Sequence, residues 1–500
     1  MLAVSTVSYR FNIAGRITRT MKAKRGLRQG DPISPLLFVL AMEYFHRLMH
    51  QLSRVPNYNF HAKCEKLQII DLSFADDVLL FFRGDSESVQ LLMNQLQSFS
   101  KSTGLVVNPA KCRVYFGGVN SETKTNILVS TSFTEGELPF RYLGVPLTCK
   151  RLSTHHYMSL VDRIVCRIRH WSSKLLSYAG RLQLINNTIT AIAAYWMSCL
   201  PFPKHVIKTI NSICRTFLWT GSEQKSRKSP IAWKMVCKPR KKGGLDVVDL
   251  SDWKVACLSK LLWNLCNKKD NLWVKWIHAF YFKTTDLMQI QEKQGMSWIL
   301  KAILRHRIII TSMDNWNEMT EKYSVGKVYQ FLKKDDPDVV WKHMLYNNIA
   351  RPRARFTLWM ACHRRLATRG RLKRLGLTTD DRCNFCDKVE TIDHLLFECL
   401  PFKTCWQQIM GCLGYHRFPC AWREELEWLI NHCKGKGWRK CILRSALAET
   451  IHEVWRYRNN AVFGNTVNIL EIRDLVIYTL ANRGWGNTKM RHHIAHLILK

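Results

Sequence analysis

The sequence predicts an α+β fold: short strand pairs alternating with helices over the first part of the chain, then a longer, mostly helical remainder. Three observations predict it. Before residue 150, apolar runs bounded by Gly, Pro, Asn and Asp alternate with segments of helical spacing. From about His155 onward, apolar residues repeat at helical intervals with few interruptions. Hydrophobic residues make up 47% of the 500 and charged residues 23%, with 18 Trp, the composition of a chain that buries a core. That length accommodates two to four domains.

The elements follow in order. Ser5–Ile13 has strand composition. Asp31-Pro32 opens a segment in which Leu36, Leu37, Leu40, Phe45 and Leu48 suit a buried helix. Leu72–Phe82 is apolar on both sides of Asp76-Asp77 and reads as a tight hairpin with acids at its tip. An amphipathic helix follows, with Asp85 or Ser86 as its cap, Val89, Leu92, Met93, Leu96 and Phe99 on one face, and Gly104 as its stop. Leu105–Val107 and Arg113–Phe116, around the turn at Asn108-Pro109, read as another strand pair. Beyond His155 one helical face carries Leu160, Ile164, Ile168, Trp171 and Leu175. A second helix follows Gly180 and runs through Ala191-Ile192-Ala193-Ala194. Gly221–Ser229 and Lys238–Gly244 read as basic loops. Trp-rich helices continue to about Phe282, and Asp335-Asp336-Pro337 punctuates a helical region from Tyr323 to Arg374. There is no fixed-period repeat and no low-complexity tract.

Charge narrows the class of partner. The chain has 76 Lys+Arg against 38 Asp+Glu, a net of +38. An excess this large serves a polyanion, nucleic acid ahead of an anionic membrane. No apolar run reaches the ~20 residues of a membrane span; Ile189–Phe202 stops short. The first residues lack the basic-then-apolar order of a signal peptide. The 18 Cys are therefore expected in a reducing compartment, nucleus or cytoplasm, where clustered Cys mean metal rather than disulfides.

Two constellations carry chemistry. Asp76 and Asp77 lie between apolar strand segments, where a like-charge pair is costly without a compensating cation. Two carboxylates on a rigid hairpin suit Mg²⁺, a hard ion that takes oxygen ligands, and a two-metal site of this kind clamps in-line displacement at phosphorus. Cys383-x2-Cys386-x7-His394-x4-Cys399 supplies three thiols and an imidazole, the donor set of a closed tetrahedral zinc site. Asn384-Phe385 forms its knuckle and His394-Leu395-Leu396-Phe397 starts a helix packed on it. Cys405, Cys412, Cys420 and Cys433 lack such spacing and read as core thiols.

Phe74-Ala75-Asp76-Asp77 resembles the polymerase motif of non-LTR (LINE) retrotransposon reverse transcriptases. Three further segments resemble that family in its order: Gly26-Leu27-Arg28-Gln29-Gly30-Asp31-Pro32-Ile33-Ser34-Pro35, Gly104-Leu105-Val106-Val107-Asn108-Pro109-Ala110-Lys111 and Tyr142-Leu143-Gly144-Val145-Pro146-Leu147. The resemblance implies an RNA-directed DNA polymerase palm, an antiparallel sheet with helices, using deoxynucleotides and Mg²⁺ on an RNA template or RNA–DNA duplex. Asp76, Asp77 and Lys111 would be catalytic, with Lys111 near the departing pyrophosphate. Arg28, Gln29, Gly30 and Phe74 would lie at the template and nucleotide, and Tyr142–Leu147 would hold the primer end. The cysteine cluster resembles the zinc-binding region that follows the polymerase in plant-type elements. That similarity extends through Tyr323-Ser324-Val325, Trp341, Ala354-Arg355-Phe356-Thr357-Leu358-Trp359, Leu366-Ala367-Thr368-Arg369 and, downstream, Ile451–Asn459.

On this resemblance the expected organisation is a partial palm over 1–150, a helical thumb and connector over 151–322, a mostly helical zinc-binding domain over 323–410 and a helical tail over 411–500. The family uses three acids, the first on an earlier strand. The chain is expected to begin after it, with Met1 internal to a longer frame and the fingers missing, and so to be inactive alone. Asp71, at the start of the same hairpin, is no substitute. Two other readings stay open: a non-catalytic RNA- or DNA-binding zinc protein, and a translated transposon remnant without a selected role. A group II intron maturase is disfavoured by the zinc spacing. The oligomeric state is not legible.

Overall fold

The computed structural model describes residues 7–23, 26–27, 30–171, 176–222, 229–282, 287, 290–308, 312, 322–333, 337–345, 348–464 and 470–486. Arg28, Gln29, Leu175, Asp335 and Asp336 lie outside them, as does most of the Gly221–Ser229 loop. The fold is α+β, with two compact units: 1–151 together with 264–296, and 152–263 together with 297–500.

The first unit begins with four two-residue strands. β1 (Ser8–Tyr9) pairs antiparallel with β4 (Met21–Lys22), and β2 (Asn12–Ile13) with β3 (Arg16–Ile17). Asp31 Oδ1 accepts from the Ile33 amide at 3.0 Å and Pro35 sits in the first turn of α1 (Ser34–Gln51), so the acid and the proline start the helix. The hairpin β5 (Asp71–Phe74) and β6 (Asp77–Leu80) follows. Then comes α2 (Ser86–Thr103), capped by Asp85 accepting from the Ser88 amide and ended by Gly104 at φ 74°. Phe45, Leu48 and Met49 of α1 pack with Leu92 and Phe99 of α2, and Val78 and Leu80 of β6 lie against them. Phe45 and Phe99 meet edge to face at 5.1 Å.

Two expectations need correcting here. Leu36 and Leu40 are each 65% exposed, so only the C-terminal half of α1 is buried. Helical periodicity identifies a shared face but not what covers it: in the first turns Leu37 and Phe38 are half-buried while Leu36 and Leu40 face solvent. Leu105–Val107 forms no strand. Instead β7 (Arg113–Val114) pairs parallel with β8 (Thr134–Glu135), which lies beyond α3 (Ser121–Thr131). A parallel pair needs a crossover, and the helix supplies it. β9 (Phe140–Tyr142) and β10 (Val145–Leu147) close the segment as a hairpin. Later in the chain α4 (Leu272–Tyr281) belongs to this unit: Trp276 Nε1 donates to the Lys63 carbonyl at 2.7 Å and Lys66 sits 4.9 Å over the Phe280 ring.

Among the described residues the second unit is mainly helical. Met158–His170 buries Leu160, Ile164 and Ile168, the expected face, against Tyr157 and its neighbours; Tyr157 also donates to the Pro201 carbonyl at 3.1 Å. The next helix starts at Tyr178, earlier than expected. The Ser177 hydroxyl caps it by accepting from the Gly180 amide, and one widened turn at Ile185–Ile189 carries it into Thr190–Cys199. Lys204–Thr220, Pro352–Cys362, Leu400–Cys412, Trp422–His432, Trp438–Val462 and Leu470–Trp485 complete the main helices. No described helix is long and apolar enough to cross a membrane.

Candidate active site and metal centre

The first site is the β5–β6 hairpin. Phe74 pairs with Asp77, so Ala75 and Asp76 alone make the turn, with Ala75 at φ 51°. That left-handed conformation is what a two-residue hairpin demands. Packing of the hairpin's far end on α1 and α2 leaves the tip in solvent. Asp76 and Asp77 are exposed, and Phe74 beside them is 62% exposed. The expected burial penalty on the acid pair is therefore absent, because water screens the repulsion. What favours a cation is the shape: two adjacent carboxylates on a stiff, open turn.

Asp71, at the base of the hairpin, behaves differently. It is buried and accepts from His46 Nδ1 of α1 at 2.9 Å. Burial raises its pKa, and His46 and then His50 offset this only in part. Its carboxylate is thus engaged by His46 of α1.

The β9–β10 hairpin turns through Leu143 at φ 49° and Gly144 at φ 78°, with Val145 and Pro146 buried. Burial, and then the Asp77 carboxylate, push the Tyr142 phenol up. Gly30 adopts φ 85° with open space around it, the close-approach geometry only glycine supplies cheaply. Lys111 ends a one-turn helix over Pro109–Lys111 and is exposed; among the described residues no ion pair or hydrogen bond joins it to Asp76 or Asp77. Arg28 and Gln29 lie outside the described residues.

The second site is the cysteine knuckle. Arg382 and Val389 form a bridge, and the Cys383 amide donates to the Lys388 carbonyl at 2.8 Å, closing a tight loop. A widened turn at His394–Glu398 carries His394 back, and Cys399 caps Leu400–Cys412. The four ligand atoms lie within 4.8 Å of one another. Cys383 and Cys399 sulfurs are 3.9 Å apart, and Cys386 Sγ is 3.1 Å from His394 Nε2. Two thiolates on one tetrahedral zinc ion stand about 3.8 Å apart, so the donor set fits that ion. The shared contact with Cys399 pulls the Cys383 thiol down to about 5 and pushes Cys399 up. Two sulfurs that close hold one proton between them, and a cation lets both ionise. All cysteines are free thiols. Cys405 and Cys433 are buried as expected, whereas Cys412 and Cys420 are only half-buried.

Sequence reasoning missed what holds the knuckle. Glu390 is fully buried and accepts from Arg458 at 3.0 Å (Nε) and 2.5 Å (Nη2) and from the Arg369 amide at 2.7 Å. Phe385 packs edge to face on Phe402 at 5.0 Å and lies 5.5 Å from Tyr457. The knuckle is thus clamped to helix Trp438–Val462. A lone Glu just after a knuckle is the only signal in the sequence, and it does not name its partner.

Residues 2–147 match the family described as reverse transcriptase (RNA-dependent DNA polymerase), and residues 323–406 match zinc-binding in reverse transcriptase. A Pol polyprotein of the type-2 retrotransposable element R2DM from Drosophila melanogaster is 32% identical over 133 residues, 25% of this chain and 12% of that protein. A transposon TX1 protein of Xenopus laevis is 26% identical over 247 residues, 46% of this chain and 17% of that protein. The chain carries a reverse-transcriptase domain of retrotransposon type. A putative ribonuclease H protein of Arabidopsis thaliana is 31% identical over 129 residues, 26% of this chain. The match spans about a fifth of that relative's length, 21%. Both candidate sites fall inside the matched spans: the acid pair in the reverse-transcriptase domain, the four zinc-type ligands in the zinc-binding region. A reverse-transcriptase domain works on a nucleic-acid template, which accounts for the net charge of +38.

Proposed function

We propose that this chain is part of a plant-type non-LTR retrotransposon polymerase, with Asp76 and Asp77 as its metal-binding acids. The observation that carries the reading is the open two-residue turn that presents both carboxylates to solvent. Mg²⁺ bound there would stabilise charge on the attacking and departing oxygens of phosphoryl transfer. The chain's own residues supply the frame. The hairpin register orients the carboxylates, the β9–β10 turn steadies a primer end, Phe74 and Gly30 flank the nucleotide and template, and Lys111, exposed and free to swing, meets the leaving pyrophosphate. Arg28 and Gln29 contact the templating strand. RNA template, RNA–DNA duplex and deoxynucleotides are the partners. Cys383, Cys386, His394 and Cys399 hold one structural zinc ion. The same reading divides the chain into palm, thumb, zinc domain and tail.

We further propose that the chain alone does not extend a primer. The hairpin carries two tip carboxylates, its third acid Asp71 is engaged by His46, and the family's chemistry uses three at the metals. Losing one removes much of the charge stabilisation on which phosphoryl transfer depends. The test is primer extension on an RNA template with purified chain, deoxynucleotides and Mg²⁺. No extension is expected. Template-dependent synthesis that disappears in Asp76→Ala overturns the inactivity and supports the site. Synthesis unchanged in that variant overturns the site.

A further inference from the structure

Helix Pro352–Cys362 begins with three arginines, exposed Arg353 and, on either side of it, Arg351 and Arg355 in contrasting environments. Arg351 is satisfied: it is ion-paired with Glu449 and Glu453 of helix Trp438–Val462. Arg355, one turn on, is not. It is half-buried, its Nε is shut off from solvent without a hydrogen-bond partner, and among the described residues no carboxylate pairs with it. Two more arginines come to this helix from distant stretches of the chain: Arg240 lies in the turn Arg240–Lys242, which is tied to the helix where Trp359 Nε1 donates to the Gly243 carbonyl at 2.8 Å, and Arg483 reaches the segment just before it. Burial, and then those two like charges, lower the Arg355 pKa. Arg483 is fixed there by donating to the Ile349 carbonyl, just before the helix. Arg240 has one acid, Asp246, at 3.2 Å. Three guanidiniums against one carboxylate leave two uncompensated positive charges, and the helix N-terminus adds more positive potential.

A fold that gathers like charges and buries an unpartnered guanidinium nitrogen loses stability unless an anion joins them. Arginine forks match phosphate oxygens in bidentate geometry, and this charge excess sits in a chain with a polymerase domain. We propose that Arg240, Arg355 and Arg483 form a phosphate-binding site that grips the backbone of a nucleic-acid strand, in addition to contacts at the Asp76–Asp77 hairpin. The site rests on the reading of this chain as a nucleic-acid binder but not on its catalysing anything.

The test is binding of a fluorescein-labelled single-stranded RNA to the full chain by anisotropy across a salt series. The triple variant Arg240→Gln, Arg355→Gln, Arg483→Gln is compared with wild type and with Asp76→Ala. For single strands each phosphate contact contributes roughly 0.7 to the slope of log K against log salt, so the triple variant should flatten it by about 2. Affinity should fall similarly for every RNA sequence, because phosphate contacts carry no sequence information. Circular dichroism establishes that the variant is folded. Arg483→Gln alone, at an exposed position, should flatten the slope by about 0.7 while removing from the fold the hydrogen bond to the Ile349 carbonyl. An unchanged slope in both variants, with wild type binding, overturns the site alone. Absence of RNA binding by wild type overturns the nucleic-acid reading beneath it. Loss of deoxynucleoside triphosphate binding with strand affinity unchanged makes it a nucleotide site and overturns the strand assignment.

Discussion

Glu390→Ala should strongly destabilise the zinc-binding region although Glu390 is not one of the four zinc-type ligands. Glu390 is fully buried and Arg458 is 4% exposed, so removing the carboxylate strands a guanidinium in the interior. Breaking a buried pair from one side costs about 3–5 kcal/mol. Glu390 also accepts the Arg369 amide, which loses its partner as well, so the upper part of that range applies. Arg458→Met should cost less, because the Arg369 amide still faces the carboxylate. The double variant Glu390→Leu with Arg458→Met should recover most of the loss, because an apolar pair carries no ionic desolvation penalty. Native-state hydrogen exchange on zinc-loaded protein reads the opening free energy of the 383–399 amides directly. A change in Glu390→Ala no larger than the ~0.5 kcal/mol typical of surface substitutions would refute the clamp.

Three further outcomes follow. Asp76→Asn with Asp77→Asn should leave thermal stability within about 0.5 kcal/mol, because both side chains are exposed, while abolishing Mn²⁺ binding at the hairpin by electron paramagnetic resonance; a large drop in midpoint would show the acids to be structural. Asp71→Asn should stabilise the first unit at neutral pH: its raised carboxyl pKa means folding favours the protonated form, so the acid's contribution is present below the unfolded value near 4 and is lost as pH rises through the folded one. Melting curves for wild type and variant should therefore converge in acid, and a variant less stable at pH 7 would contradict this. Cys405 and Cys433, pushed up by burial to about 11 and about 12, should resist alkylation at pH 8 while exposed Cys149 and Cys166 react, as peptide mass mapping can show.

Local signals were legible where their cause is local. The Gly104 stop, a cap at Asp85 or Ser86 and a tight hairpin at the acid pair each depend on neighbours within a few positions and were readable; the structure selects Asp85 and sets the turn at Ala75-Asp76, with Asp77 already in the strand. The zinc-type ligands were readable because their spacing is itself the chemistry. What failed depends on distant partners. β7 pairs with Thr134–Glu135 rather than with Leu105–Val107, because strand pairing follows the path of the chain in space. The exposure of Leu36 and Leu40 depends on what packs there, which periodicity does not encode. Glu390 and Arg458 are 68 residues apart, and nothing in either neighbourhood points to the other.

The same division predicts that the two proposed ion sites should respond oppositely to loss of their ions. The register of β5–β6 is set by backbone hydrogen bonds and by Val78 and Leu80 on the helix pair, so neither Asp76 nor Asp77 has a share in folding it. Their exposure serves only what approaches the tip. Cys383, His394 and Cys399 are buried, and their sulfurs and ring nitrogen replace the apolar side chains that would otherwise fill the knuckle. On the function proposed above, zinc binding there would be coupled to folding, whereas magnesium binding at the hairpin would be coupled only to substrate. A chelator should therefore open 383–399 and leave 71–80 protected from exchange. The knuckle's clamp through Glu390 and Phe385 then carries that opening into helix Trp438–Val462, which also holds Arg351 through Glu449 and Glu453. The N-terminal end of helix Pro352–Cys362, where Arg355 sits, is thus anchored by the same helix that anchors the knuckle.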